Sequence, residues 1–213
     1  MSNYNPFNKK ADDPFNKPEQ DYPSRVDVLE GKDIGDDNNP DHYFDYIKGS
    51  EGLHLKKYWD KRGWSIGYGH FLRKGENFDE GITKEKAMDL YRSDTTEKID
   101  YLRGNLGEKA WGRLPRKVKG ALIDLDYRGD YRGSPKFQKL FKQGKYVEAA
   151  SELEDHKEAK KSKGVGKRIA RNANVIRDFG LRLSEYNEQL EKETPKEPFS
   201  DFINEVQRQL GSQ

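Results

Sequence analysis

The sequence predicts an α+β fold, in which a small β-sheet near the start of the chain joins a mostly helical lobe. Glycines, aromatic residues and the local alternation of Leu53, Leu55 and Lys57 favour short strands between Leu53 and His70. From Thr83 onwards, apolar residues recur instead at helical spacing. Two lobes packed together would leave a cleft between them, which is a natural place for a ligand.

The elements before and within the sheet follow from short patterns. Tyr43, Phe44 and Ile47 form a helical stripe that should end near residues 49–52, where two glycines lie. A tight turn at residues 61–63 would join the first two strands. This small lobe is therefore predicted to be a helix followed by a hairpin.

The rest of the body is predicted to be five helices. Thr83 can cap the first, which carries Ala87, Leu90 and Tyr91 on its apolar face. The apolar faces of the next four are Val118, Ala121, Leu122 and Leu125; Phe137, Leu140 and Phe141, ending at Gly144; Tyr146, Ala149, Ala150 and Leu153; and Ile169, Ala173, Ile176 and Leu183.

Composition indicates that part of the chain is not packed. Of the 213 residues, 32% are hydrophobic and 37% are charged, whereas roughly half the residues of a globular chain are apolar. We predict a folded domain over residues 41–188, beginning just after Pro40, which is large enough to bury a core. Residues 1–40 are predicted to be a disordered acidic tail, and residues 189–213 a linker with an amphipathic helix.

The two tails carry a repeated Pro-Phe pattern. Residues 5–8 (NPFN) return as residues 13–16 (DPFN), with an echo at residues 197–200 (EPFS). The N-terminal pattern is either a flexible tail with chance phenylalanines or a docking peptide for a partner. Residues 198–210 are amphipathic at helical spacing, so they either pack on the domain or bind a partner.

Charge and residue types exclude several classes of function. Residues 41–190 hold 32 basic and 24 acidic residues between two acidic tails, which suits an anionic polymer such as nucleic acid, teichoic acid or peptidoglycan. No nucleic-acid recognition motif is present, so specific nucleic-acid binding is not expected. The chain has no cysteine and its four histidines have no ligand spacing, so neither a metal nor a cofactor is expected.

Hydropathy indicates neither membrane insertion nor a secretion signal. No apolar run approaches the roughly 20 residues of a membrane span, and the first residues lack the apolar stretch of a signal peptide. We therefore expect another agent to deliver the protein to any extracellular target.

Two carboxylates flank the predicted first strand, Glu51 and Asp60. Glu51 lies where a helix should end, a position that disfavours negative charge, and aromatic packing by Tyr58, Trp64 or Tyr68 would favour its protonated form further. Asp60 lies on the hairpin and would stay ionised. Carboxyl groups in two such environments suit the acid and the anion of glycoside cleavage.

The stretch from Glu51 to His70 resembles the phage lysozymes of glycoside hydrolase family 24, the T-even phage type. That family shows Glu-Gly-Leu, eight residues between its Glu and its Asp, and a Thr-Ile-Gly-x-Gly-His ending. Here residues 51–53 match, eight residues separate Glu51 from Asp60, and residues 65–70 (SIGYGH) match closely. Residues 81–87, 121–123, 137–150 and 166–171 resemble later parts of the family, so the resemblance covers roughly residues 41–185.

The resemblance implies a lysozyme-like fold that hydrolyses the β-1,4 bond between N-acetylmuramic acid and N-acetylglucosamine in peptidoglycan glycan strands. It implies that Glu51 is the catalytic acid, Asp60 the second carboxylate, and Ser65 the replacement for the family's active-site Thr. Trp64 and Tyr68 are predicted to contact substrate, although hairpin or core packing is an alternative for Trp64.

Two arginines near the end of the domain have more than one interpretation. Arg168 and Arg171 are predicted to contact peptidoglycan carboxylates, and the alternatives are that they organise the cleft or are surface charges. His70 is predicted to be structural and to form an ion pair with Asp94, which lies in the helix that Thr83 caps.

The sequence departs from the family pattern at two places. Four residues separate Asp60 from Ser65, where the family usually has five, so either the turn is tighter or Asp60 is displaced. Residues 124–129 (DLDYRG) replace an apolar-rich segment. In that stretch, Asp126 and Arg128 either pair on a solvated face or line the sugar groove.

Other functions remain open from the sequence. A lytic transglycosylase also needs a Glu acid but forms an anhydro product, and a catalytically inactive virion protein that binds walls is the non-enzymatic alternative. The tails suggest docking to virion proteins through residues 1–40 and 198–210. The expected location is the host cytoplasm before lysis or the inside of a phage virion, with the bacterial cell wall as the target.

Overall fold

The computed structural model of the chain describes residues 38–60, 63–155 and 163–193, and it confirms the predicted α+β class. A 3₁₀ turn at Pro40–Tyr43 leads into helix α1, and three strands follow. Their bounds are α1 Phe44–Glu51, β1 His54–Asp60, β2 Gly63–Gly67 and β3 His70–Phe71. The helical lobe comprises α2 Lys84–Leu106, α3 Glu108–Gly112, α4 Arg116–Arg128, α5 Asp130–Gly133, α6 Pro135–Lys142, α7 Tyr146–Asp155 and α8 Lys163–Glu193.

The sheet is antiparallel, with strand order β1-β2-β3. His54 pairs with Gly67 and Tyr58 pairs with Ser65, and the register shifts between these two pairs. Such an irregularity bends a strand and increases its twist. The far end of the hairpin is regular, because Trp59 pairs with Trp64 there.

The first long helix begins as its cap residue predicts. The Thr83 hydroxyl accepts a hydrogen bond of 3.1 Å from the backbone N–H of Lys86, which satisfies one of the free donors of the first turn. Ala87, Leu90 and Tyr91 are buried on the inner face of α2. The prediction for this helix is confirmed.

Helix α4 lies at the centre of the helical lobe and is buried on all sides. Every residue from 118 to 126 is buried, including Lys119, Asp124 and Asp126. It packs against α1, α2, α5 and α8. The sequence predicts one apolar face for this helix, so that prediction was too narrow: the helix crosses the core rather than lying over it.

The last two long helices pack closely against each other. Gly180 of α8 lies directly against α7, and an added Cβ there would be 2.7 Å from the Cβ of Tyr146. Helix α8 continues through Glu193, beyond the predicted domain boundary at residue 188. The predicted apolar residues of α8, Ile169, Ala173, Ile176 and Leu183, are all buried.

Several predictions fall outside the described residues. They are the disorder and docking role of residues 1–37, the conformation at Lys61 and Arg62, and the amphipathic segment at residues 198–210. Among the helices that the structure does describe, none combines the length and the apolar character needed to cross a lipid bilayer.

Gly180→Ala should destabilise the protein even though Ala favours helices. The new methyl would meet the Cβ of Tyr146, which cannot move without its backbone, so we expect a loss of about 1–3 kcal/mol in the free energy of unfolding. The matched control is Gly104→Ala in α2, where nothing lies within 4 Å of the added Cβ. That change should be neutral or stabilising by up to about 1 kcal/mol. Urea unfolding measures the stability of both variants. If Gly180→Ala is as stable as the wild type, α7 and α8 can move apart at this contact at little cost.

Candidate active site

Glu51 is the last residue of α1 and lies at the junction of the two lobes. The helix stops there because Gly52 adopts a positive φ of 62°. The Glu51 side chain is 19% exposed. Gly69, in the turn between β2 and β3, also has a positive φ, and a Cβ there would lie 2.9 Å from Oε2 of Glu51. The glycine therefore leaves the space that the Glu51 carboxyl group occupies.

Arg168 connects Glu51 to a second carboxylate inside the helical lobe. Its Nη1 lies 2.6 Å from Oε1 of Glu51, and its Nε and Nη2 donate to Asp124 at 2.6–3.1 Å. Asp124 is fully buried and also accepts from Arg171 at 2.8 Å and from Asn172 at 2.7 Å. Hydrogen bonds of this kind are needed to hold a charge away from water.

Arg168 lies between the two carboxylates as a nearly buried cation. Burial by itself would lower the pKa of the Arg168 guanidinium, but the hydrogen bonds and negative charges of Asp124 and Glu51 outweigh burial and raise that pKa. Arg171 is more exposed and stacks over the ring of Tyr46, 4.6 Å from its centroid. Both arginines thus organise this wall of the site, and their predicted contact with substrate stays a prediction.

Asp60 and Ser65 lie on the same face of the hairpin. Asp60 pairs with Gly63 and Tyr58 pairs with Ser65. Opposite residues of an antiparallel pair share a face, as do residues two apart on one strand. The shortened spacing between Asp60 and Ser65 therefore does not turn Asp60 away from the site.

Tyr58 lies on β1, two residues before Asp60 and opposite Ser65. Burial is the main cause that raises the pKa of the Tyr58 hydroxyl, and the negative charges of Glu51 and Asp60 raise it further. Tyr58 therefore lies within electrostatic range of both predicted catalytic carboxylates.

A cleft of about 380 Å³ separates the hairpin from the helical lobe. The hairpin side contributes Asp60, Ser65, Gly69 and Phe71. The helical side contributes Asp126, Tyr127, Arg128, Gly129 and Arg132, from the end of α4 and from α5. The cleft is thus lined by carboxylates, guanidinium groups, a hydroxyl and aromatic rings, which suits a polar ring-shaped ligand such as a sugar.

The predicted pairing of Asp126 with Arg128 is wrong. Asp126 is buried and accepts two hydrogen bonds of 2.9 Å from Arg132, while Arg128 donates to Asp130 at 2.9 Å. Asp126 lies two residues before Arg128 on the same helix, and side chains two apart on a helix do not face each other. The alternative interpretation, that both residues line the groove, agrees with the structure.

Trp64 and Tyr68 do not lie together. Trp64 is 44% exposed and packs edge-to-face on Trp59 at 5.5 Å, and its neighbour in sequence, Ser65, faces the cleft. Adjacent strand residues point to opposite faces, so Trp64 lies on the outer face of the hairpin. Tyr68, in the turn between β2 and β3, packs against Phe44 at 4.9 Å. Substrate contact by either residue stays a prediction.

His70 forms the predicted ion pair with Asp94. Its Nδ1 lies 2.8 Å from Asp94, and its Nε2 lies 2.9 Å from Glu76. Since a carboxylate only accepts, both ring nitrogens must donate, which requires the charged imidazolium. Burial works against that charge, but the hydrogen bonds and charges of Asp94 and Glu76 prevail and raise the pKa of His70. The pair joins β3 to α2, beside the cleft rather than in it.

The small sheet, the helical lobe and the cleft between them define the class of a lysozyme-like α+β protein. The chain matches the family model described as phage lysozyme over residues 48–173, more than half of its length, and it belongs to that family. It is therefore a peptidoglycan-hydrolysing lysozyme in general terms, that is, a glycoside hydrolase acting on peptidoglycan. All the predicted site residues lie within the matched range. No curated protein sequence matched the chain as a relative.

Sequence reasoning missed the partners of the site. It did not find that Asp124 anchors Arg168, that Arg132 pairs with Asp126, or that Glu76 holds His70. A signal for Asp124 was present, because this Asp lies between Ile123 and Leu125 in a strongly apolar stretch. A carboxylate at such a position must be buried, and a buried carboxylate needs cationic partners.

Asp94→Asn should cost more stability at low pH than at high pH. Because the pKa of His70 is raised on folding, the pair contributes fully below the unfolded value of about 6.5 and is lost as pH rises through the higher folded value. We expect a loss of about 3 kcal/mol at pH 6 and a clearly smaller one at pH 9. Thermal unfolding at the two pH values measures this.

The matched control is Asp89→Asn on the same helix, which removes an exposed carboxylate paired with Arg92. It should change stability by less than about 0.5 kcal/mol at either pH. Equal losses for Asp94→Asn at pH 6 and pH 9 would contradict a charged His70–Asp94 pair.

Proposed function

We propose that the protein is a muramidase that hydrolyses the β-1,4 bond between N-acetylmuramic acid and N-acetylglucosamine. The observation that carries the proposal is the arrangement of Glu51, Asp60 and Ser65. Asp60 and Ser65 share the cleft-facing side of one hairpin. Glu51 lies against Gly69, which lines the same cleft.

Each of the three residues has a distinct role in this proposal. Glu51, at a helix end and only partly exposed, donates a proton to the glycosidic oxygen as the bond breaks. Asp60 is exposed on the hairpin and supplies the carboxylate that stabilises the sugar cation or activates water. The Ser65 hydroxyl, on the same face as Asp60, positions that water.

The presence of Asp60 and Ser65 beside the acid favours hydrolysis over transglycosylation. A lytic transglycosylase needs the acid but no water-activating pair, since the sugar's own hydroxyl attacks. Here the hairpin places a carboxylate and a hydroxyl on one cleft-facing side. A wall-binding virion protein without activity would have no need of either group.

We further propose that the protein acts on the bacterial cell wall during phage lysis or virion entry. The proposed location is the host cytoplasm before lysis, or the virion, with residues 1–40 and 198–210 contacting other virion proteins. The support is the repeated Pro-Phe pattern in the acidic segments outside the matched range. Mass spectrometry of purified particles tests the virion alternative, and particles without this chain would leave the free lysis enzyme.

Glu51→Gln should abolish cleavage of purified peptidoglycan. The amide keeps the shape of the side chain but has no acidic proton to transfer to the glycosidic oxygen, so we expect a loss of about 10²–10⁴-fold in rate. Glu148→Gln, an exposed carboxylate on α7, is the control and should retain wild-type activity. Turbidity clearing measures the rates.

The mass of the released muropeptides identifies the reaction. Reducing products support hydrolysis, whereas anhydro products, lighter by one water, would assign a transglycosylase and remove the catalytic role of Asp60. If wild-type protein releases nothing from several kinds of wall, the non-enzymatic alternative is favoured.

A further inference from the structure

Asp124 is a fully buried carboxylate to which the proposed reaction gives no role. Its donors Arg168, Arg171 and Asn172 all lie on α8. Arg171 and Asn172 lie three and four residues after Arg168, so the three donors project from one side of that helix. A single carboxylate on α4 therefore fixes the side of α8 that faces Glu51.

The position of Arg168 raises an electrostatic problem for the proposed acid. A guanidinium 2.6 Å from Glu51 stabilises the carboxylate, whereas a general acid must carry its proton when substrate arrives. The Nε and Nη2 atoms of the same guanidinium donate hydrogen bonds to Asp124. Its negative charge opposes the effect of Arg168, so Glu51 faces a cation whose charge Asp124 partly offsets.

The other charged and titratable groups around Glu51 do not replace this balance. Tyr58 from β1 and Tyr127 from α4 both sense the Glu51 charge, and both are neutral phenols near pH 7. Asp60 adds negative charge from the hairpin side, and Arg171 adds positive charge beside Asp124. Asp124 is thus the carboxylate that shares Arg168 with Glu51 through direct contacts.

We propose that Asp124 is a positioning residue for Glu51, an inference that rests on the proposed role of Glu51 as the catalytic acid. It holds Arg168 against Glu51 and offsets the guanidinium charge, so that Glu51 keeps its proton to a higher pH than Arg168 alone would allow. Asn172 keeps Asp124 in place, and its Oδ1 in turn accepts a hydrogen bond from Tyr46. The network reaches from α4 through α8 back to α1, the helix that carries Glu51.

The pH dependence of kcat/KM tests this role. For an enzyme that uses Glu51 as an acid, activity falls at high pH as Glu51 loses its proton. Asp124→Asn keeps the shape but removes the charge, so the falling limb should move to lower pH by about one unit. A purely structural role would lower activity or stability and leave the limb where it is.

Two further variants separate charge from packing. Arg171→Gln removes a cation beside Asp124 at a position that is 41% exposed, so it should fold, and its limb should move in the opposite direction, by about half a unit. The control Glu154→Gln breaks the ion pair between Glu154 and Arg177 of α8, which is remote from Glu51. The high-pH limb of its kcat/KM profile should not move. If Asp124→Asn fails to fold, the Arg171→Gln variant tests the proposal: a limb shifted to higher pH supports it, and a limb that is unchanged or shifted to lower pH contradicts it.

A carbon-13 NMR titration of the Glu51 carboxyl group gives a readout that needs no activity. A lower titration midpoint in Asp124→Asn and a higher one in Arg171→Gln support the proposal, even if the wild type cleaves no peptidoglycan and the proposed function fails. Unchanged midpoints and unchanged limbs in both variants would overturn it, whatever the wild-type activity.

Discussion

A buried carboxylate organises the architecture of this protein. Asp124 lies in the middle of α4, the helix around which the helical lobe packs, and burial of its charge is tolerable only because two guanidinium groups and an amide converge on it. All three come from α8. The register of α8 against α4 is therefore set by hydrogen bonds with fixed directions, whereas apolar contacts alone would permit sliding.

The same contacts extend to the small lobe. Arg168 reaches Glu51 at the end of α1, and Gly69, in the turn between β2 and β3, lies against the other oxygen of that carboxyl group. At a second point, His70 ties the sheet to α2 through Asp94. The two lobes are thus joined by two sets of charged contacts, one from Glu51 to α8 and one from His70 to α2.

Local signals allowed much of the fold to be predicted from the sequence. The Thr83 cap, the glycine stop after Glu51 and the apolar spacing of α8 act within one or two helical turns, and each has the expected structure. The His70–Asp94 pair was predictable for a different reason, since Asp94 lies in the helix that Thr83 caps, at a plausible pairing position for His70. The face of Asp60 depends on strand register, which sequence spacing left open and the pairing of Tyr58 with Ser65 resolved.

The sequence could not show which cation pairs with which carboxylate, because several arginines and lysines are chemically equivalent candidates. Asp126 had two arginines within six residues, and helix geometry together with the turn into α5 selected Arg132 over Arg128. Asp124 and Arg168 lie 44 residues apart in sequence. In a chain with 40 lysines and arginines, charge alone does not select one cation for a carboxylate. The buried position of α4 makes that selection.

The tryptophans give the hairpin an optical signature of its own. Of the three in the chain, Trp111 is fully buried, while Trp59 and Trp64 are exposed on the outer side of the strands whose inner side carries Asp60 and Ser65. An aqueous quencher such as iodide therefore reaches the two hairpin indoles and spares the third. The quenchable part of the native emission belongs to one small element, so a ligand entering the cleft can be followed through the strands that line it, without any attached label.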